Sequence, residues 1–210
     1  MAARPIPQSY DGAQRAFHWI MAALILLAIV IGVTVSLLPR GEPRAALLAL
    51  HKSLGMTALV LGVLRIGYRS IAGAPPYAEA LTPLNRAAAH AAHLALYALM
   101  IALPVGGYVN SAAGGKEPTW FGLFVWPAII PQDKALAHLA GQAHYWLAWS
   151  IGAVLAFHVA GPRGIAGSSA TKSSRACGPA TPRSRAKAGA AEALAGTCFR
   201  LRGFCARIFF

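Results

Sequence analysis

From Phe17 to Leu38 the chain reads "FHWIMAALILLAIVIGVTVSLL", with no Asp, Glu, Lys or Arg in the run. A helix needs about 20 apolar residues to cross a hydrocarbon core. Lipid offers no partner to an unpaired backbone group, so such a segment has to satisfy its own hydrogen bonds as a helix. The run is too long for the apolar part of a secretory signal, and no small-residue cleavage site follows it. Three more apolar segments follow, at roughly Ala45–Tyr68, Ala87–Val109 and Gln142–Val159. The expected fold is therefore all-α, an integral membrane four-helix bundle running up and down.

Composition agrees. The chain is 57% hydrophobic and 12% charged, where a soluble domain carries about 25% charged residues. Turn chemistry separates the segments, as "PRGEPR" at 39–44, "GAPPYAEALTP" at 73–83 and "SAAGGKEPTWFGLFVWPAIIPQDK" at 111–134. The last is rich in Trp and Phe and is expected at the membrane interface, where Trp is favoured.

Charge divides the chain further. Residues 1–161 form the expected transmembrane domain, and residues 162–210 form a basic tail expected to be disordered, with nine Lys/Arg against the single acid Glu192. A basic tail can be the footprint of nucleic-acid binding. Beside a membrane body it reads instead as a cytoplasmic flank, and no nucleic-acid partner is expected. The three cysteines, Cys177, Cys198 and Cys205, all lie in the tail, form no CxxC pair and give no disulfide framework.

Lys and Arg near the spans set the orientation. Arg4, Arg15, Arg65, Arg69, Arg86 and the nine of the tail make fourteen on one side, against Arg40, Arg44, Lys52, Lys116 and Lys134 on the other. The positive-inside rule then places both termini in the cytoplasm, although without the tail the score is five to five.

Seven histidines occur, and no Asp or Glu lies inside any of the four segments. That absence counts against a metal-ion transporter, which places ionisable groups along its path. In "HYWLAWSIGAVLAFH", His144 and His158 stand fourteen residues apart. At about 100° and 1.5 Å per residue they share one helix face, roughly 21 Å apart along the axis. Alone, they could be two interfacial histidines with their polar tips in water. The other helices supply matching depths: His18 opens the first segment on the side where His158 closes the fourth, and His51 opens the second on the side where His144 opens the fourth. Two facing imidazoles are what bis-histidine haem ligation requires, one nitrogen on each porphyrin face. His18 with His158, and His51 with His144, would hold two b-type haems and their iron.

Other residues fall at the same depths. Gly32 lies fourteen after His18, at the level of the outer haem, where it would leave room for a porphyrin edge. Arg65 lies fourteen after His51, at the level of the inner haem, and a guanidinium suits a propionate carboxylate. An ordinary inner-flank positive charge explains Arg65 equally well. His90 and His93 open the third segment three residues apart, where they could contact a quinone or a propionate, serve as rival inner ligands, or simply lie at the interface. His138 is about 240° around the helix from His144 and is expected at the interface or in the loop.

The stretches "AFHWIMAALIL", "LHKSLGMTALVLGVLRIGYR", "APP", "LALYALMIALPVGGYVNSAAGG", "WFGLFVWP" and "AHYWLAWSIGAVLAFHV" resemble, in order, the bacterial cytochrome b561 family. That family is related to the membrane cytochrome b subunits of nickel-iron hydrogenases and formate dehydrogenases. The resemblance covers about residues 8–160. It implies a di-haem cytochrome b that moves electrons between quinone and an unidentified one-electron donor or acceptor. It pairs His18 with His158 and His51 with His144, and matches Arg65 to the arginine that ends the family's second helix. The chain would act as a quinone-linked electron-transfer oxidoreductase, or as the membrane anchor of a larger complex; a homodimer stays open. After about Ala160 the family pattern is lost, and the Ala, Gly, Arg, Ser and Pro excess resembles a GC-rich frame read out of phase, so a frameshift is expected there.

Overall fold

A computed structural model describes residues 9–75 and 82–176. The side chains of α4 are described through residue 161. The expected disorder of the tail and its three cysteines fall on residues 177–210, outside the described residues.

Four helices build the molecule: α1 (Gly12–Leu37), α2 (Glu42–Ala72), α3 (Pro83–Ala113) and α4 (Lys134–Ala176). Each is long and apolar enough to cross a membrane. All four start earlier than the apolar segments do, and in α1, α3 and α4 a capping side chain sits in the polar flank. Asp11 caps α1 by accepting from the Gln14 N–H at 2.7 Å. Thr82 caps α3 through Asn85 at 3.3 Å, and the Asp133 carboxylate accepts from the amides of Ala135 and Leu136 at the start of α4. Such side chains satisfy donors that the first turn leaves unpaired. α2 ends at Gly73, whose φ of 75° is a conformation that glycine adopts without strain. The helix α4 runs on through residues 162–176, which the sequence reading assigns to the tail.

The loop after α3 holds a short antiparallel hairpin, β1 (Thr119–Trp120) with β2 (Phe124–Val125), in the register Thr119 to Val125. Phe121 (φ 48°) and Gly122 (φ 73°) make its turn. Two residues one turn apart on α2 seat it. The Ser53 hydroxyl, almost fully buried, accepts from the Phe121 N–H at 2.9 Å. The Thr57 hydroxyl oxygen accepts from the Trp120 indole at 3.0 Å.

Packing follows chain order: α1 on α2, α2 on α3, α3 on α4. Met21, Ala58 and Met100 join α1, α2 and α3 in one cluster, and Ile31, Val35 and Leu54 join α1 to α2 in another. Gly62 lets Met100 approach α2 closely; a Cβ there would stand 3.3 Å from the Met100 side chain. The outward faces are apolar, with Val30 61%, Trp146 65%, Trp149 64% and Phe157 76% exposed. In water these would be large apolar patches; in a bilayer they are the surface that faces lipid. Among the described residues α1 and α4 are not a closely packed pair. The histidine rings lie on that side of the bundle.

Candidate functional site

The four histidines paired by depth meet in space. The rings of His51 (α2) and His144 (α4) stand 6.0 Å apart between centroids, at 87° to each other. Those of His18 (α1) and His158 (α4) stand 6.5 Å apart at 55°. One helix thus contributes to both pairs, as the fourteen-residue spacing in α4 requires.

The His51–His144 pair sits in two cradles of the same design. Nδ1–H of His51 donates to the Ala28 carbonyl at 3.0 Å, and Nδ1–H of His144 donates to the Leu103 carbonyl at 2.8 Å. A carbonyl only accepts, so each bond fixes the proton on Nδ1 and leaves the Nε2 lone pair available, the usual arrangement of a metal-bound imidazole. Four residues after each carbonyl stands a glycine. A Cβ on Gly32 would lie 3.0 Å from Cε1 of His51, and one on Gly107 would lie 3.1 Å from Cε1 of His144. The room that Gly32 leaves is taken by the His51 ring itself. Gly107 and the two carbonyls are not legible from the sequence as partners, because nothing in a chain marks which backbone oxygen a distant side chain will reach.

The other pair is built differently. Nη2 of Arg65 donates to Nδ1 of His18 at 3.3 Å. Nη1 of Arg65 is buried and has no hydrogen-bond partner among the described residues. The His93 ring lies 5.2 Å from that of His158. His90 is exposed and makes no ring contact or hydrogen bond with this group among the described residues. His138 lies in α4 rather than in the loop, and it is exposed.

Both separations fit a single metal between two imidazoles. Two metal–nitrogen bonds of about 2 Å each, with half a ring on either side, amount to about 6 Å between centroids. A porphyrin supplies four further nitrogens, so two protein ligands suffice. Among the described residues no group of three or more His, Cys, Asp or Glu is placed to hold a bare metal ion. The buried Nη1 of Arg65, without a hydrogen-bond partner among the described residues, is a cationic donor of the kind a carboxylate accepts from.

Residues 9–162 match the family model described as prokaryotic cytochrome b561. A curated relative, cytochrome b561 homolog 2 of Escherichia coli, is 36% identical over 155 residues, which is 72% of this chain and 81% of the relative.

Proposed function

Because the chain belongs to the prokaryotic cytochrome b561 family, a family of membrane electron-transfer cytochromes, we propose that it holds two b-type haems and carries electrons between a membrane quinone and a one-electron partner. His51 and His144 hold one haem, and His18 and His158 the other. The observation that carries this reading is the His51–His144 pair, with both Nδ1 protons fixed on carbonyls and both Nε2 lone pairs left for iron. When bound, haem b supplies a reversible one-electron iron couple, and the protein's part is ligation, orientation and access.

Each residue has a distinct task. The carbonyls of Ala28 and Leu103 hold the imidazoles of His51 and His144 in orientation and raise their basicity. Gly32 and Gly107 let the rings lie against α1 and α3. On the other side, Arg65 would offer its guanidinium to a haem carboxylate, and release of its bond to His18 would let that ring carry its proton on Nδ1 and present its lone pair on Nε2. His93, beside His158, faces the quinone. The fourteen-to-five bias of Lys and Arg, which is five to five without the tail, supports a cytoplasmic His18–His158 end with both termini on that side.

A reduced-minus-oxidised visible spectrum, with the haem-to-protein ratio, tests this. A b-type band and a ratio near two are expected, with loss of one haem in His51→Ala or His144→Ala. The absence of a b-type band, or an unchanged haem content in both variants, would overturn it.

A further inference from the structure

The hairpin after α3 lies well below the helix ends that flank it, and seven-residue steps along the bundle fix its depth. Ile151 stands midway between His144 and His158 on α4, Ala58 midway between His51 and Arg65 on α2, and Met100 midway between His93 and Gly107 on α3. The outer members of these triads meet across the bundle. His51 faces His144, Gly107 lies against the His144 ring, and His93 lies beside His158. Arg65 bonds His18, which faces His158. Ile151, Ala58 and Met100 therefore share one level, and all three are buried. The apolar segments of α2, α3 and α4 are centred within about two residues of it, so it marks the middle of the membrane.

Measured from that level, the hairpin falls inside the hydrocarbon. Ser53 is five residues from Ala58 toward the His51–His144 end, about 7.5 Å of helix, whereas the half-thickness of the core is about 15 Å. The Ser53 hydroxyl accepts from the Phe121 N–H and lies 3.2 Å from the Thr119 carbonyl. Thr57, which accepts from the Trp120 indole at 3.0 Å, is one residue from the middle level. Farther out, the Tyr108 hydroxyl donates to the Pro127 carbonyl and accepts from the Ile129 N–H. Tyr108 is eight residues from Met100, or about 12 Å. The chain thus descends from a neck near Pro127 to a turn at Phe121 and Gly122.

The sequence suits that depth. Residues 118–131, "PTWFGLFVWPAIIP", carry no charged side chain. Leu123 is 75% and Ile129 79% exposed, and Phe121, Phe124 and Val125 are about half exposed. At membrane depth, non-helical backbone is tolerated only where the protein pairs its polar groups. Here the Phe121 N–H has Ser53, the Leu123 N–H donates to the Trp120 carbonyl at 2.9 Å, and the Trp126 N–H to the Pro118 carbonyl at 3.0 Å. We propose that residues 119–125 form a re-entrant hairpin, which enters the hydrocarbon of the leaflet on the His51–His144 side and presents its apolar face to acyl chains. Ser53 and Thr57 lie about 200° and 240° around α2 from His51. The hairpin therefore covers the face of α2 turned away from the histidines, and lipid meets the hairpin there instead of the helix. The rival place is the headgroup layer, where Trp is favoured. It begins about 7 Å beyond the level of Ser53, whereas Ser53 bonds the hairpin backbone directly.

The test uses the full chain in phosphatidylcholine liposomes, with Cys177, Cys198 and Cys205 replaced by serine and a nitroxide attached to one new cysteine. Leu123→Cys reports on the hairpin. Lys116→Cys is the reference for water, and Trp149→Cys, two residues from Ile151 and 64% exposed in the native side chain, is the reference for deep lipid. Power saturation with oxygen and with a water-soluble nickel chelate gives the ratio of the two accessibilities at each site. The ratio at Leu123 is expected to lie near that at Trp149 and several-fold above that at Lys116. A ratio nearer that of Lys116 would overturn the proposal. A second measurement needs no substitution: phosphatidylcholine with a diazirine midway along its acyl chain is expected to label residues 121–125 of the unaltered protein. Labelling confined to the four helices would overturn it as well. Neither readout involves electron transfer, so the function proposed above stands or falls separately.

Discussion

His51 and His144 face each other with ring centroids 6.0 Å apart, and each is held by a carbonyl and, four residues later, a glycine on the neighbouring helix. The repetition yields a sharp prediction. Gly32→Ala and Gly107→Ala each favour helix by about 1 kcal/mol on propensity alone. Each also puts a methyl group about 3 Å from a histidine ring, so the imidazole has to shift by some tenths of an ångström against its carbonyl. Support of this kind is worth roughly 10- to 100-fold in metal affinity. Either variant is expected to lose one haem selectively while the helix content by circular dichroism holds or rises. Full haem retention in both would show that the cradles do not position the ligands.

Arg65 makes the two ends of the bundle chemically unlike. By donating to Nδ1 of His18 it selects the opposite tautomer from that of His51 and His144. Iron ligation through Nε2 requires this contact to break, and the buried Nη1 then needs an acceptor. Arg65→Gln removes a fixed positive charge beside His18 and is expected to lower the midpoint potential of a haem held by the His18–His158 pair, on the order of tens of millivolts, while leaving one held by His51 and His144 unchanged. A redox titration that resolves the two haems checks it; equal shifts in both, or none, would exclude the pairing.

Much of this was legible in the sequence, for reasons that can be stated. The four spans follow from length and hydropathy, and helical rise with the matching ends of the segments brings His51 to the depth of His144 and His18 to that of His158, while leaving His90 and His93 as rivals at the second level. Gly32 falls at the right depth, yet depth cannot say that its hydrogen faces His51 rather than a porphyrin edge. The hairpin at 119–125 was legible only as an aromatic loop, because two-residue strands carry no periodicity to read. The separation of His93 from His90 depends on helix rotation: three residues apart on α3, one faces His158 and the other faces outward.

Ser53 is the main anchor of that hairpin. Its hydroxyl serves the Phe121 amide and lies 2.9 Å from the Ala49 carbonyl, with almost no exposure. Ser53→Ala leaves a part-buried amide without its acceptor, at a cost of about 1–3 kcal/mol. Faster hydrogen exchange across residues 119–125, with little change in α1, is expected. Unchanged protection there would show that the Trp120–Thr57 bond alone suffices.

The family match ends at residue 162, close behind His158, and the sequence that follows is rich in Ala, Gly, Arg, Ser and Pro, which a shifted reading frame would explain. The gene, translated in its other two frames after this point, is expected to yield an ending that resembles the family. If neither frame does, the tail is the chain's own, and the frameshift reading is withdrawn.

Asp11 makes one end of the molecule sensitive to acid. The Gln14 backbone N–H, helped by the Tyr68 hydroxyl, holds the Asp11 carboxyl below the ordinary carboxylate value. The sign follows from that depression. A group that binds protons less readily when folded contributes its stability above the unfolded value, and loses it as pH falls through the folded one. The start of α1 is therefore expected to fray only in acid below the ordinary carboxylate range, and to be firm at neutral pH. Asp11→Asn keeps a capping side chain but removes the titration. Its exchange protection at residues 12–15 should show no acid-dependent loss, where the unaltered protein shows one. Equal acid sensitivity in the two proteins would place the titrating group elsewhere.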